Sequence, residues 1–126
     1  MEETYFVRTM RVKNLNNNET RVIYLYQFRE WPDHGVPSST GPFLEFMSAV
    51  NRRRGEQFTK PLLIHCTAGV GRTGTYFTVD YCLSQFKRDG SMSLAKTVID
   101  GRRQRPGIIQ KTVQFEFSLK AIFNFL

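Results

Sequence analysis

The stretch His65-Cys66-Thr67-Ala68-Gly69-Val70-Gly71-Arg72-Thr73-Gly74 restricts the fold more than any other part of this chain. An apolar run precedes it and a helical pattern follows it, so it reads as the turn of a strand–loop–helix unit. Gly69, Gly71 and Gly74 permit positive φ or close backbone approach. The loop can therefore curl with its N–H groups inward, as an anion nest. The following helix adds its N-terminal dipole at the same spot. Cys66 sits where that field is strongest, which predicts a thiolate stabilised well below the free-cysteine value of about 8.5. Arg72 offers a planar two-pronged donor that matches two phosphate oxygens. Thr73 can donate a hydrogen bond to the thiolate. The bland alternative is a buried cysteine in a glycine-rich turn, since cysteine is often simply buried. The full array of cysteine, five residues, arginine and threonine instead describes a cradle that holds a phosphate dianion while sulfur attacks it.

The chain around this unit has the size of one domain. Its 126 residues can bury a core, and 40% hydrophobic content argues against disorder. No apolar run approaches the roughly 18–20 residues of a membrane span. Met1-Glu2-Glu3-Thr4 is acidic and has no apolar core, so it does not read as a signal peptide. Two cysteines, Cys66 and Cys82, are too few for a disulfide scaffold and suit a cytosol-like, cytoplasmic setting. His34 and His65 are the only histidines, and their spacing does not suit zinc. The net charge of +7 has two readings. Arg52-Arg53-Arg54 is either a solvated helix end or part of a surface for an anionic partner, whether phosphorylated protein, nucleic acid or lipid. No aromatic-and-basic recognition motif supports nucleic acid.

Periodicity gives an α/β pattern. Tyr5 to Val12 reads as a strand, Asn14 to Glu19 as a turn, and Arg21 to Phe28 as a second strand in a hairpin with the first. Trp31 to Pro37 carries two prolines and a glycine and reads as a loop. Ser39 or Thr40 can cap a helix with Pro42 in its first turn. Phe43, Phe46, Met47 and Val50 form its apolar face. Pro61 to His65 reads as a short, central, buried strand. Arg72 to about Lys87 reads as a helix with Tyr76, Val79, Leu83 and Phe86 inward, ended at Asp89-Gly90. Ser93 caps a further helix through Val98 and Ile99, which Arg105-Pro106-Gly107 breaks. A last helix runs from about Gln110, with Phe115, Leu119, Ile122 and Leu126 along one side.

The ten-residue loop closely resembles the signature loop of the cysteine-dependent protein tyrosine phosphatases. Trp31-Pro32-Asp33-His34-Gly35-Val36-Pro37 is similar to their mobile acid loop. Arg102-Arg-Gln-Arg-Pro-Gly-Ile-Ile-Gln110, with Gln114, resembles their glutamine loop. Three motifs in family order favour the phosphotyrosine-specific branch over dual-specificity or lipid phosphatases. The resemblance implies an α/β fold with a central mixed β-sheet flanked by helices, truncated at its N-terminal side, with residues 1–126 forming a partial catalytic domain. It implies hydrolysis of phosphotyrosine on proteins through a phosphocysteine formed on Cys66. The N–H groups of Thr67, Ala68, Gly69, Val70, Gly71 and Arg72, with the Arg72 side chain, would bind the phosphoryl oxygens. His65 would orient and tune the nucleophile. Asp33 would protonate the leaving phenolate and then take a proton from water. Trp31 would anchor the hinge of a loop that closes on phosphate. Gln110 would position the hydrolytic water, with Gln114 assisting. No metal or organic cofactor is required. Outside such a motif Asp33 would read as a turn residue, and the two glutamines as ordinary surface residues.

The chain resembles only the C-terminal half of that domain. The recognition loop that sandwiches the phosphotyrosine ring, and a glutamate that braces the signature arginine, have no counterpart here. Lys111 and Phe115 stand where the family usually has threonine and tyrosine. Three readings stay open: an active phosphatase with a shallower site, a phosphotyrosine-binding or regulatory module, and an inactive fragment of a longer phosphatase. Phosphotyrosine-containing proteins are the implied partners, together with self-association through surface left by the missing half. The compartment would be the cytoplasm, or the cytoplasmic region of a longer membrane protein. Cys82 reads as core packing, with a disulfide to oxidised Cys66 as the remote alternative.

Overall fold

A computed structural model describes residues 3–32, 35–55 and 59–126. Strands β1 (Tyr5–Lys13) and β2 (Thr20–Phe28) form an antiparallel hairpin, with Tyr5 opposite Phe28 and Lys13 opposite Thr20. Its turn is made by asparagines. Asn14 and Asn17 side chains accept from the N–H groups of Asn16 and Glu19 at 2.9 and 3.0 Å, and Asn18 takes the left-handed φ of 59° that asparagine tolerates. The tip of the hairpin is exposed. Its base is not: Tyr5, Tyr26 and Phe28 pack on the core.

Helix α1 (Gly41–Arg54) begins with Pro42 in its first turn, as its missing N–H favours, and ends on Arg52, Arg53 and Arg54, which complement the helix dipole. Thr40 stands at the cap position, but its hydroxyl does not cap the helix. It accepts from Asn124 Nδ2 at 2.7 Å and ties the start of α1 to the end of the last helix. Helix α2 (Gly71–Asp89) stops at Gly90, which adopts φ 71° and returns its N–H to the Phe86 carbonyl. Ser93 Oγ caps α3 (Leu94–Gln104) by accepting from the Lys96 N–H at 3.2 Å. Helix α4 (Thr112–Phe125) closes the chain, and α2 packs against both α3 and α4.

Phe43, 1% exposed, is the hub of the core. Its ring meets those of Phe28, Trp31, Tyr76 and Phe117 at centroid distances of 5.3–6.1 Å, mostly edge to face. One hairpin strand, the Trp31 loop and three helices thus converge on one side chain. Phe43→Ala is expected to cost about 3–5 kcal/mol, a large share of the 5–15 kcal/mol that typically holds a domain together, and should be visible as a loss of cooperative thermal unfolding.

Four expectations are corrected. The sheet is a two-stranded antiparallel hairpin among the described residues, where a central mixed sheet was expected. Pro61 to His65 is not a buried strand: Leu62 and Ile64 are half-buried, while Leu63 is 87% exposed. The apolar composition was right, but a strand exists only by pairing, and this segment pairs with no described strand. Phe86, expected inward, lies outward. The buried face of α4 is Gln114, Phe117, Ser118, Ala121 and Ile122, whereas Leu119 and Leu126 are exposed and Phe115 is half-buried. Small Ser118 and Ala121 permit the close approach of helices, and α4 carries large apolar residues on every side. Of the expected stripe of Phe115, Leu119, Ile122 and Leu126, only Ile122 is fully buried.

Candidate active site

The loop 65–70 leads into the N-terminus of α2, so Cys66 and the helix dipole share one place. Cys66 is half-buried, and its sulfur accepts the Gly69 N–H at 3.2 Å. Gly69 takes φ 73°, which a side chain would strain, and this turn aims its N–H at the sulfur. Burial alone would raise the Cys66 pKa. The Thr73 hydroxyl and the backbone N–H groups of Thr73, Gly69 and Val70 outweigh it and bring the thiol down to about 7. Thr73 Oγ1 is buried beside the sulfur, where its hydroxyl favours the thiolate. Cys82 is the opposite case. It is fully buried, donates to Thr97 Oγ1 at 3.4 Å, and burial pushes its pKa up, in line with core packing.

These environments separate the two thiols. Iodoacetamide labelling of the folded protein should fall on Cys66 alone, with a rate that rises through a midpoint near pH 7, where thiol becomes thiolate. Thr73→Ala should move that midpoint upward, because it removes the largest stabiliser of the thiolate; a midpoint that stays in place would assign the shift to the backbone alone. The folded-state pKa lies below the ordinary value. Its contribution to stability is therefore present at high pH and lost as pH falls through about 7.

Other site residues divide into groups. Arg72 occupies the first turn of α2 and is half-buried. His65, Thr67 and Ala68 are exposed along the loop, and Val70 and Gly71 join it to the helix. Gln110 and Gln114 approach the cradle from the other side. A methyl group placed on Gly71 would lie 2.7 Å from Gln110 Oε1 and 2.9 Å from Gln114 Nε2. Gln114 is buried, and its Oε1 accepts from the N–H groups of Gln110 and Lys111 at 2.9 and 3.2 Å. That oxygen caps α4, which leaves the exposed Gln110 amide as the better placed of the two for a ligand. Asp33 lies outside the described residues. Of the residues that flank it, Trp31 Nε1 donates to the Gly35 carbonyl at 2.9 Å, and the Trp31 ring packs on Phe28, Phe43 and Phe117.

Two arginines were not singled out from sequence. Arg105 donates through Nη2 to the Ala68 carbonyl at 3.3 Å and through Nε to the Gly69 carbonyl at 3.4 Å. It draws those carbonyls outward, which turns the neighbouring N–H groups toward the cradle. Arg102 donates to the carbonyls of Ile108 and Ile109 at 3.0 and 2.8 Å. A signal existed for Arg102 alone: it lies shortly before Pro106-Gly107, where a chain reversal exposes carbonyls that need donors. A cavity of about 610 Å³ adjoins the site, lined by β2, residues 62–67, the Phe43, Phe46 and Val50 side chains, and Arg72, Thr73 and Tyr76. Among the described residues no His/Cys/Asp/Glu group is arranged to hold a metal, and no helix is long and apolar enough to cross a membrane.

The sequence matches the protein-tyrosine phosphatase family over residues 1–124. The chain belongs to that family. It is 38% identical over 122 residues to Tyrosine-protein phosphatase 2 of Dictyostelium discoideum, a match that covers 91% of this chain and 32% of that protein. It is 40% identical over 122 residues to Receptor-type tyrosine-protein phosphatase N2 of Mus musculus, and 39% identical to the mouse Receptor-type tyrosine-protein phosphatase-like N. Each of these two matches covers 95% of this chain and 12% of the relative. The chain therefore spans about a third or less of the length of these relatives.

Proposed function

We propose that this chain hydrolyses phosphotyrosine on proteins through a phosphocysteine intermediate. The observation that carries the reading is the Cys66 thiol, held at about 7 by Thr73 and the loop amides at the head of α2. Near neutral pH a large share of it is thiolate, the form that attacks phosphorus. In the first step sulfur bonds to phosphorus, the P–O bond to the tyrosine breaks, and Asp33 gives its proton to the leaving phenolate. In the second step a water oxygen bonds to phosphorus, Asp33 takes its proton, and the P–S electron pair returns to sulfur. Arg72 and the amides of residues 67–72 hold the equatorial oxygens through both steps. The substrates are phosphotyrosine-containing proteins, met in the cytoplasm or at the cytoplasmic side of a membrane. The chemistry needs no cofactor.

A burst experiment tests this. Mixing the protein with p-nitrophenyl phosphate should release nitrophenol in a burst that approaches one equivalent per protein, followed by slower turnover. Asp33→Ala should lower kcat by about 10²–10⁴-fold, with phosphate affinity nearly unchanged. Equal losses in both would make the acid loop a folding element and remove Asp33 from the chemistry.

A second reading draws on the open cavity beside the nucleophile and on the exposed Leu63. Here the cradle binds phosphotyrosine without turnover, and the apolar cavity is covered by self-association. Tight phosphopeptide binding with no burst, in a sample that sediments as an oligomer, would favour it over the first.

A further inference from the structure

Among the described residues, Ile109 is the one β-branched residue with positive φ, and it stands next to the proposed water-positioning glutamine. Ile109 has φ 57°, a left-handed conformation that a β-branched side chain strongly disfavours. It is also buried, so the strain is not relieved at the surface. Three hydrogen bonds hold it. The Ile109 N–H donates to the Val70 carbonyl at 2.9 Å, at the end of the signature loop. Arg102, from α3, donates to the Ile109 carbonyl at 2.8 Å and to the Ile108 carbonyl at 3.0 Å. The two peptides before Gln110 are thus fixed on both sides, to the cradle by one bond and to α3 by two.

This arrangement has a direction. With an ordinary φ at Ile109 the chain would leave the turn on another course, and Gln110 would not come over Gly71. In the strained form the Gln110 side chain reaches the start of α2, where Gly71 has no side chain to obstruct it. Strain of this kind persists only where the surroundings over-determine it, and it gathers at functional sites. We infer that Arg102 is a positioning residue that locks Ile109 in its left-handed conformation and so aims Gln110 at the phosphocysteine. The inference rests on the proposed hydrolysis. It assigns Arg102 to the second step only, in which Gln110 holds the attacking water. The first step uses Cys66, Arg72 and Asp33, whereas the hydrogen bonds of Arg102 go to the carbonyls of Ile108 and Ile109, just before Gln110.

The lock should therefore separate the two half-reactions. Arg102→Met keeps an apolar stem of similar length and removes both hydrogen bonds. Rapid mixing with p-nitrophenyl phosphate should show the nitrophenol burst at an unchanged rate, within about twofold. The steady-state rate after the burst should fall by about tenfold or more, and phosphorylated protein should accumulate on acid quench. Arg102→Lys keeps the charge but presents one ammonium, which cannot span two carbonyls as the guanidinium fork does. It should fall between the wild type and Arg102→Met, and it serves as the test if Arg102→Met fails to fold. Burst and steady-state rates that drop together, alongside a lower melting temperature, would make Arg102 a fold brace and overturn the inference. Unchanged kinetics in both variants would also overturn it. Absence of a burst in the wild-type protein would instead overturn the hydrolytic function on which the inference depends.

Discussion

Cys66→Ser is expected to lower kcat toward p-nitrophenyl phosphate by about 10⁴–10⁶-fold, the scale on which removal of a nucleophile ordinarily acts. The reason lies in what the site stabilises. Thr73 and the amides of Thr73, Gly69 and Val70 favour the anionic form of the residue at position 66 strongly enough to overcome its burial. A serine hydroxyl is far weaker as an acid than a thiol, and the same donors would leave it protonated near neutral pH. Binding should respond differently. The thiolate places a negative charge inside a cradle built for a dianion, so its replacement by a neutral hydroxyl removes a repulsion while the inward-facing amides and Arg72 remain. A phosphotyrosine peptide titrated calorimetrically into Cys66→Ser should bind at least as tightly as to the wild-type protein. Turnover that survives in this variant would remove Cys66 from the mechanism. A parallel loss of peptide binding would mean that the loop needs the sulfur to keep its shape, since Gly69 N–H donates to it directly.

The parts of the molecule that could be read in the sequence are those set by local rules. The hairpin follows from alternating apolar residues around Asn16-Asn17-Asn18, and its turn is closed by the same asparagine chemistry. Helix α1 follows from Pro42 and a four-residue apolar face, and α2 ends at Gly90 because glycine accepts positive φ. The cradle could be read because its glycines, cysteine, arginine and threonine are adjacent in the chain. What escaped was long-range. Pro61 to His65 has the composition of a strand, yet strand character depends on a partner that the segment itself does not specify. The α4 face was misjudged because the close packing of Ser118 and Ala121 decides which side turns inward. Gln114 reads as an assistant to the water; that its oxygen also caps α4, through the Gln110 and Lys111 N–H groups, could not be read from the sequence. The braces Arg102 and Arg105 escaped because a surface arginine looks the same in sequence whether it meets solvent or two carbonyls. Ile109 escaped for a stronger reason: a β-branched residue is the last choice local propensity would make for a left-handed turn.

Gly74→Ala is expected to destabilise the protein, although alanine is the better helix former by about 1 kcal/mol. Gly74 is buried in α2, and a methyl group there would lie 2.7 Å from the Ile109 nitrogen and 2.8 and 3.1 Å from Cβ and Cα of Ile108. These atoms belong to backbone or are joined directly to it, so no rotation of a side chain makes room. The segment 108–110 must move off α2. That shift weakens the Ile109–Val70 hydrogen bond and leaves a buried N–H unsatisfied, at a cost of about 1–3 kcal/mol. Overpacking adds about 1–3 kcal/mol more. Net of the helical gain, the loss is roughly 1–5 kcal/mol, which for a domain of this size corresponds to a melting temperature lower by about 4–20 °C. Gly71→Ala provides the contrast. Its methyl would meet only the outer ends of Gln110 and Gln114. The exposed Gln110 can swing aside at little cost and the buried Gln114 amide has to give by a few tenths of an ångström, but no backbone is in the way, so stability should change less while hydrolysis of the phosphoenzyme slows. The two glycines lie one helical turn apart, yet one fixes the distance between α2 and the glutamine loop and the other leaves space for the glutamine itself. Thermal unfolding of both variants separates these functions: a melting temperature for Gly74→Ala at or above that of the wild type would show that helix propensity outweighs the contact, and that α2 and residues 108–110 can part without strain.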